Sequence, residues 1–241
     1  SAIEMGVDIV EIDVAMTSDS VLIVMHDRRA DRTTKAKGLV SDLKWTDLGK
    51  FRLRSGHGVT TKCRIPTLEE LLLVCKDRVI VNIDANGWPY LDMIYDMLVR
   101  LDMLDQVIIK CGCEFDEAMK AIAGRPIMFM PMLSPAVPAS VEKLHRFLDE
   151  YPCPAYEICM YNEICPSDIE AIALINERGA RAWTDTLWDS VGGGYCDDDA
   201  VADPDRVYGK HLEIGSSIIQ TDRPALLIGY LKSKGRHKPR R

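Results

Sequence analysis

The sequence lacks the patterns that would assign it to a membrane, disulfide-stapled or nucleic-acid-binding class. No apolar run approaches the roughly 18 residues of a membrane-spanning helix. The eight cysteines are scattered without a CxxC pair, and a chain of 241 residues with its own core needs no disulfide framework. There is no basic excess either, because the formal net charge is −7, which disfavours a general nucleic-acid binder.

The composition is that of an ordinary folded protein. Hydrophobic residues make up 47% of the chain and charged residues 28%, which predicts a soluble globular body. We expect a single domain over residues 1–241, with a polar insertion at 27–66 and a basic tail at 233–241. The tail reads as a solvated terminus, with contact to a phosphate-rich or membrane surface as the alternative. The oligomeric state and the compartment stay open.

Short apolar runs alternate with helical stretches along the chain. Runs that are buried on both faces and separated by helices are typical of a parallel sheet. Setting Val21–Met25 aside as part of an insertion leaves seven such runs, and one more upstream would complete the eight strands of a TIM (β/α)8 barrel. An open doubly wound sheet is the alternative, weakened by the absence of a glycine-rich phosphate loop. The predicted strands are Asp8–Met16, Val79–Asp84, Val107–Cys111, Ile127–Met132, Tyr156–Met160, Ala180–Thr184 and Ser217–Gln220.

Three carboxylates follow two of these strands. Glu11 and Asp13 are two residues apart, so they point to the same face, and Asp84 ends the next predicted barrel strand. Acids gathered at the carboxyl ends of neighbouring strands predict a divalent metal, and all-oxygen ligands favour Mg²⁺ or Ca²⁺. The alternative is an inward-facing acid paired with Lys or Arg.

His26 terminates the apolar run Val21–Met25 beside these acids. That position favours a role as general acid or base over a structural role. The other four histidines lie in predicted loops or helices and read as structural or exposed.

Several motifs together resemble the glycerophosphodiester phosphodiesterase family. They cover nearly the whole chain, and their combination is more specific than any one of them. The matching segments are Gly6–Val14 with Thr17, His26-Asp27, Asp31–Thr34, Ile65–Glu70 and Ile218–Pro224.

The resemblance implies metal-dependent hydrolysis of small glycerophosphodiesters to glycerol 3-phosphate and an alcohol. It implies that Glu11 and Asp13 bind the metal and that His26 is one of two catalytic histidines. A free glycerol hydroxyl would attack phosphorus while one histidine accepts its proton and the other protonates the leaving alcohol. Which alcohol leaves is open.

The sequence departs from the family pattern at two places. The third metal ligand is usually Glu in a Glu-x-Lys strand end, whereas this chain has Asp84-Ala85-Asn86. Lys110 could supply the missing charge, or it could simply pair with a carboxylate. Lys110, Glu157 and Trp183 are the predicted substrate contacts, with plain packing as the alternative for Trp183.

The second departure concerns the family's His-Arg-Gly motif, which is absent from these residues. The chain opens in what reads as the end of a helix, so we expect the motif upstream; an export signal there would place the protein in the periplasm or outside the cell. Competing interpretations are a catalytically inactive barrel that binds a phosphodiester or a partner, and a phospholipase D-like barrel acting on lysophospholipid or sphingolipid. The run Asp197–Asp199 reads as a solvated loop, with a second calcium site as the alternative.

Overall fold

The computed structural model describes residues 2–237, which fall into two compact units. One unit comprises residues 9–109, and the other comprises residues 2–8 together with residues 110–237. Within residues 2–237, no helix combines the length and the apolar character that crossing a membrane requires. The single domain remains a prediction, and residues 238–241 of the predicted basic tail lie outside the described residues.

The first unit contains neighbouring parallel strands made mostly of β-branched residues. Glu11 lies in register with Asn82, and Ile12 with Ile83. Because registered residues of parallel strands share a face, Glu11 and Asn82 point to the same side of the sheet. The strands are Ile9–Ile12, Ile80–Ile83 and the start of Val107–Cys111.

The predicted first strand is two strands in the structure. Ile9–Ile12 belongs to the parallel set, whereas Val14–Met16 pairs antiparallel with Leu22–Val24. Asp13 occupies the break between them. The prediction that residues 21–25 stand outside the parallel set is thereby confirmed. At Asp13 the chain passes from a strand that pairs in parallel to one that pairs antiparallel.

The insertion at 27–66 is an ordered substructure. It contains the 3-10 turn Val40–Asp42, the short helix Trp45–Leu48 and an antiparallel hairpin formed by Arg52–Arg54 and Thr60–Arg64. The hairpin was not predicted, because its strands are too charged to show an apolar pattern. A small core supports the insertion, formed by its own Ala30, Ala36, Val40, Leu48 and Ile65 together with Ile23 and Met25, which precede it.

The helices of this unit are Leu68–Cys75 and Leu91–Leu101, the latter preceded by the 3-10 segment Ala85–Tyr90. The first begins with a capping box. Thr67 Oγ1 accepts from the Glu70 amide at 3.1 Å, and Glu70 Oε2 accepts from the Thr67 amide at 2.8 Å, so two orphan donors of the first turn are satisfied.

The second unit alternates parallel strands with helices. Its strands lie side by side in the order Met128–Leu133, Ala155–Ile158, Arg181–Asp185 and Ile218–Gln220. With the three strands of the first unit, the described residues contain the seven parallel strands expected from the sequence. The helices are Ala2–Met5, Phe115–Ile122, Pro138–Glu150, Pro166–Glu177, Asp197–Ala200, Pro204–Glu213 and Pro224–Ser233.

Candidate metal centre and neighbouring groups

The three predicted metal ligands lie together in the first unit. Glu11, Asp13 and Asp84 each offer a carboxylate oxygen within 4.8 Å of the other two, and all three side chains are partly exposed. Converging carboxylate oxygens are the ligands that Mg²⁺ and Ca²⁺ prefer. Their role as ligands remains a prediction, but the proximity that it requires is present.

Two backbone hydrogen bonds bring the elements of this cluster together. The Asp84 amide donates to the Ile12 carbonyl at 2.9 Å, which places the second strand end beside the first. The Met25 amide donates to the Asp13 carbonyl at 3.0 Å, which holds the residue before His26 against the acidic strand end.

Asn86 occupies the position where the family pattern has lysine. Its Nδ2 donates to Asp13 Oδ1 at 2.7 Å, and its Oδ1 accepts from the Val14 amide at 2.9 Å. The side chain therefore orients Asp13 from the neighbouring strand end. Sequence reasoning noted the missing lysine but gave Asn86 no role, although its place two residues after Asp84 was a usable signal.

Asn82 supplies an observation that bears on whether an ion fits here. It is fully buried, shares the face of Glu11, and makes no side-chain hydrogen bond within residues 2–237. An unsatisfied buried polar group costs about 1–3 kcal/mol, so an amide in this position indicates a polar guest such as a hydrated ion. The donor set and this amide both fit a hard divalent cation.

His26 stands beside the cluster with its side chain 72% exposed. Its Nδ1 lies 2.9 Å from Asp27 Oδ1, and Asp27 is held in turn by Arg32 at 2.5 and 2.8 Å. The hydrogen bond to Asp27 raises the pKa of His26, and the Asp13 charge adds to the effect. Arg32 and His26 hold the pKa of Asp27 well below its usual range. Asp27 thus fixes Nδ1 and leaves Nε2 for proton transfer.

Lys110, Glu157 and Trp183 come together in the second unit. Lys110 Nζ lies 2.9 Å from Glu157 Oε2, with both residues almost fully buried, and 5.9 Å from the centroid of the Trp183 ring. Lys110 therefore has the carboxylate partner considered from the sequence. Its contact with substrate, like that of Glu157 and Trp183, remains a prediction.

The indole of Trp183 is fixed by groups that sequence reasoning missed. Its Nε1 donates to Asp185 Oδ1 and to Gln220 Oε1, each at 3.1 Å. Asp185 lies two residues after Trp183 on the same strand, so the alternation of that strand could have indicated it.

The expectation of a solvated loop at residues 197–199 was wrong for Asp197. Its side chain is 2% exposed and accepts four hydrogen bonds, from donors spread over two strand ends and one helix. They come from Thr186 Oγ1 at 2.9 Å, Tyr208 OH at 3.0 Å, Thr221 Oγ1 at 2.6 Å and the Asp222 amide at 2.7 Å. The polar sequence gave no sign that distant hydroxyl groups would surround this carboxylate.

A second group of potential ligands, Asp189, Cys196 and Asp199, also has atoms within 4.8 Å of one another. It is less suited to a hard cation. Burial raises the pKa of the Cys196 thiol, and Asp199 Oδ2 already accepts from Arg206 at 2.7 Å.

Two family models match different parts of the chain. Residues 1–106 match the model of the glycerophosphoryl diester phosphodiesterase family. Residues 129–231 match a model described as a domain of unknown function. The chain spans less than half the length of the curated relatives it matches.

Curated and solved relatives agree with the first match. A glycerophosphodiester phosphodiesterase of Caldanaerobacter subterraneus is 37% identical over 123 residues, covering 50% of this chain and 43% of that protein. A glycerophosphoryl diester phosphodiesterase structure from Parabacteroides distasonis has 25% identity and a TM-score of 0.76, over 94% of this chain and 76% of that one. An Oleispira antarctica phosphodiesterase has 18% identity and a TM-score of 0.71, over 95% and 87%.

The likeness to these barrel structures confirms the predicted TIM-barrel fold class. The competing doubly wound sheet is thereby excluded. A family model over residues 1–106, curated relatives and solved structures agree, and together they support membership of the glycerophosphoryl diester phosphodiesterase family.

Proposed function

We propose that this protein hydrolyses glycerophosphodiesters to glycerol 3-phosphate and an alcohol with the help of a divalent metal. The observation that carries the proposal is the cluster of Glu11, Asp13 and Asp84 with His26 beside it. The family match over residues 1–106 supports the same chemistry, and the Oleispira antarctica phosphodiesterase was solved in complex with the product sn-glycerol-3-phosphate.

Glu11, Asp13 and Asp84 would hold the metal, with Asn86 orienting Asp13. When bound, Mg²⁺ or Ca²⁺ supplies a Lewis acid that offsets negative charge on the phosphodiester and orients it. The three carboxylates together carry more negative charge than the divalent ion carries positive charge, which favours tight binding of the cation.

His26 acts as the general acid that protonates the leaving alcohol. Its raised pKa keeps the imidazolium populated to a higher pH than an ordinary histidine allows. The Asp27–Arg32 pair keeps the ring oriented, because both Asp27 oxygens are held by the guanidinium. A proton from Nε2 then goes to the departing oxygen, a role worth about 10²–10⁴ in rate.

Lys110, Glu157 and Trp183 are our proposed substrate contacts. Lys110 offers a positive charge for a phosphate oxygen. Glu157, whose Oε2 lies 2.9 Å from Lys110 Nζ, partly offsets that charge. Trp183 offers an apolar ring for the glycerol carbon chain, held in place by two hydrogen bonds from its indole nitrogen.

The test is release of glycerol 3-phosphate by the full-length protein from glycerophosphocholine, glycerophosphoethanolamine and glycerophosphoinositol. Turnover should require Mg²⁺ or Ca²⁺, stop with EDTA, and fall by about 10²–10⁴ in His26→Ala. The exposed His145 provides a matched control, and His145→Ala should keep wild-type turnover. Turnover unaffected by EDTA, or equal in His26→Ala and wild type, would contradict the proposal.

A further inference from the structure

The insertion at 27–66 carries a charge opposite to that of the rest of the chain. It contains 11 Lys and Arg residues and only four Asp, a net charge of +7, whereas the whole chain carries −7. The remaining residues therefore carry −14. Such asymmetry concentrates positive potential on one substructure and marks it as a candidate surface for an anionic partner.

The acids of the insertion do not neutralise this charge. Asp27 pairs with Arg32, Asp31 with Arg29 and Lys37, and Asp47 with Lys50. Seven other cations have no acidic partner within residues 2–237: Arg28, Lys35, Lys44, Arg52, Arg54, Lys62 and Arg64.

The hairpin presents several of these cations outwards. Arg52 lies directly opposite Arg64 on the neighbouring strand, and both are exposed, as is Lys62. Leu53, on the other face, packs on the core of the insertion. Like charges directly opposite one another destabilise a hairpin, so an external anion that neutralises them is favoured. The underlying core holds these groups on an ordered surface.

Apolar side chains flank the same cations. Phe51, next to Arg52, is 36% exposed, and Val59, in the hairpin turn, is 65% exposed. Basic side chains interleaved with exposed apolar ones match the interfacial region of an anionic bilayer, where cations meet headgroups and apolar groups enter the acyl boundary.

We propose that the outward face of the hairpin Arg52–Arg64 binds the surface of an anionic phospholipid membrane. A membrane accounts for both the unpaired cations and the exposed Val59, because its surface offers anionic headgroups next to an apolar acyl boundary. The proposal does not rest on the diesterase chemistry, and its test measures binding alone.

The test is co-sedimentation of the full-length protein with vesicles of phosphatidylcholine, or of phosphatidylcholine mixed equally with phosphatidylglycerol. The protein should sediment with the mixed vesicles only, and added salt should release it. The triple variant Arg52→Gln, Lys62→Gln, Arg64→Gln should bind on the order of a hundredfold more weakly, at about fivefold per lost cation. The single variant Val59→Ser should also bind the mixed vesicles more weakly than the wild type does at the same salt concentration.

A matched triple variant removes three exposed cations elsewhere: Lys120→Gln, Arg181→Gln and Lys232→Gln. This variant has the same net charge as the hairpin variant, and it should bind the mixed vesicles as tightly as the wild type does. Circular dichroism checks that each variant is folded, and the salt series on wild type tests the proposal without any variant. Equal binding to both vesicles, no binding to the mixed vesicles, equal losses in the two triple variants, or preferential binding of a duplex oligonucleotide would overturn the proposal.

Discussion

Replacing Asp197 by asparagine should destabilise the second unit strongly. The carboxylate is 2% exposed and accepts from three hydroxyl groups and one amide, tying Thr186, Tyr208 and Thr221 to one another. An asparagine keeps one oxygen but turns an NH₂ group towards at least one existing donor. Hydrogen bonds to a charged group contribute about 1.5–3 kcal/mol each, and an unsatisfied buried donor costs about 1–3 kcal/mol. We expect a loss of about 3–5 kcal/mol in the free energy of unfolding.

Urea denaturation followed by circular dichroism measures this loss as a shift of the midpoint at constant slope. The control is Asp198→Asn, because Asp198 is the next residue, is 86% exposed, and pairs only across the surface with Arg223. An exposed pair of this kind contributes about 0–1 kcal/mol. A loss below about 1 kcal/mol in Asp197→Asn, or one equal to that of Asp198→Asn, would refute the reasoning.

Three further predictions follow from contacts around the two sites. Asp27→Asn puts a neutral amide in place of the charged acceptor whose hydrogen bond raises the pKa of His26, so the alkaline limb of kcat should move to lower pH; NMR titration of His26 checks the cause. Asn86→Ala should weaken metal affinity about 10- to 100-fold in calorimetric titration, because Asp13 loses its orienting partner. Burial lowers the pKa of His211 to about 4, so as pH falls below 6.5 the unfolded chain takes up a proton before the folded chain does. The free energy of unfolding should therefore fall by on the order of 3 kcal/mol between pH 6.5 and 4, and this fall should be absent from His211→Asn.

The parallel strands and helices could be predicted because their residues carry local signals. Val107–Cys111 is a short run of β-branched residues, and its predicted bounds are those of the structure. The helix Leu68–Cys75 carries a local signal of the same kind, because a capping threonine precedes it and Glu lies in its first turn. The other predicted strands, apart from Asp8–Met16, differ from the structure by at most two residues at either end, as at Met128–Leu133, which was predicted as Ile127–Met132.

The features that were missed depend on partners distant in sequence. The break at Asp13 arises because Val14–Met16 pairs with Leu22–Val24, which the apolar pattern alone does not specify. The hairpin of the insertion forms from charged strands that show no apolar alternation.

The acidic cluster was predictable because carboxylates at the ends of neighbouring parallel strands must meet at one edge. The groups that support it were not. Asn86 was recognised only as a departure from a family pattern, and Asp27 was quoted in a motif without a role. The pairing of Lys110 with Glu157 joins residues 47 positions apart, and was only one of two alternatives before the structure placed them 2.9 Å from each other.

The most direct test of the central claim is calorimetric titration of Mg²⁺ and Ca²⁺ into the wild type, Asp84→Asn and Asp189→Asn. These two variants separate the two groups of potential ligands, Glu11-Asp13-Asp84 and Asp189-Cys196-Asp199. We predict that the wild type and Asp189→Asn bind one ion with equal affinity, and that Asp84→Asn binds it at least about tenfold more weakly. Unchanged affinity in Asp84→Asn, or a loss confined to Asp189→Asn, would contradict the assignment of the metal centre.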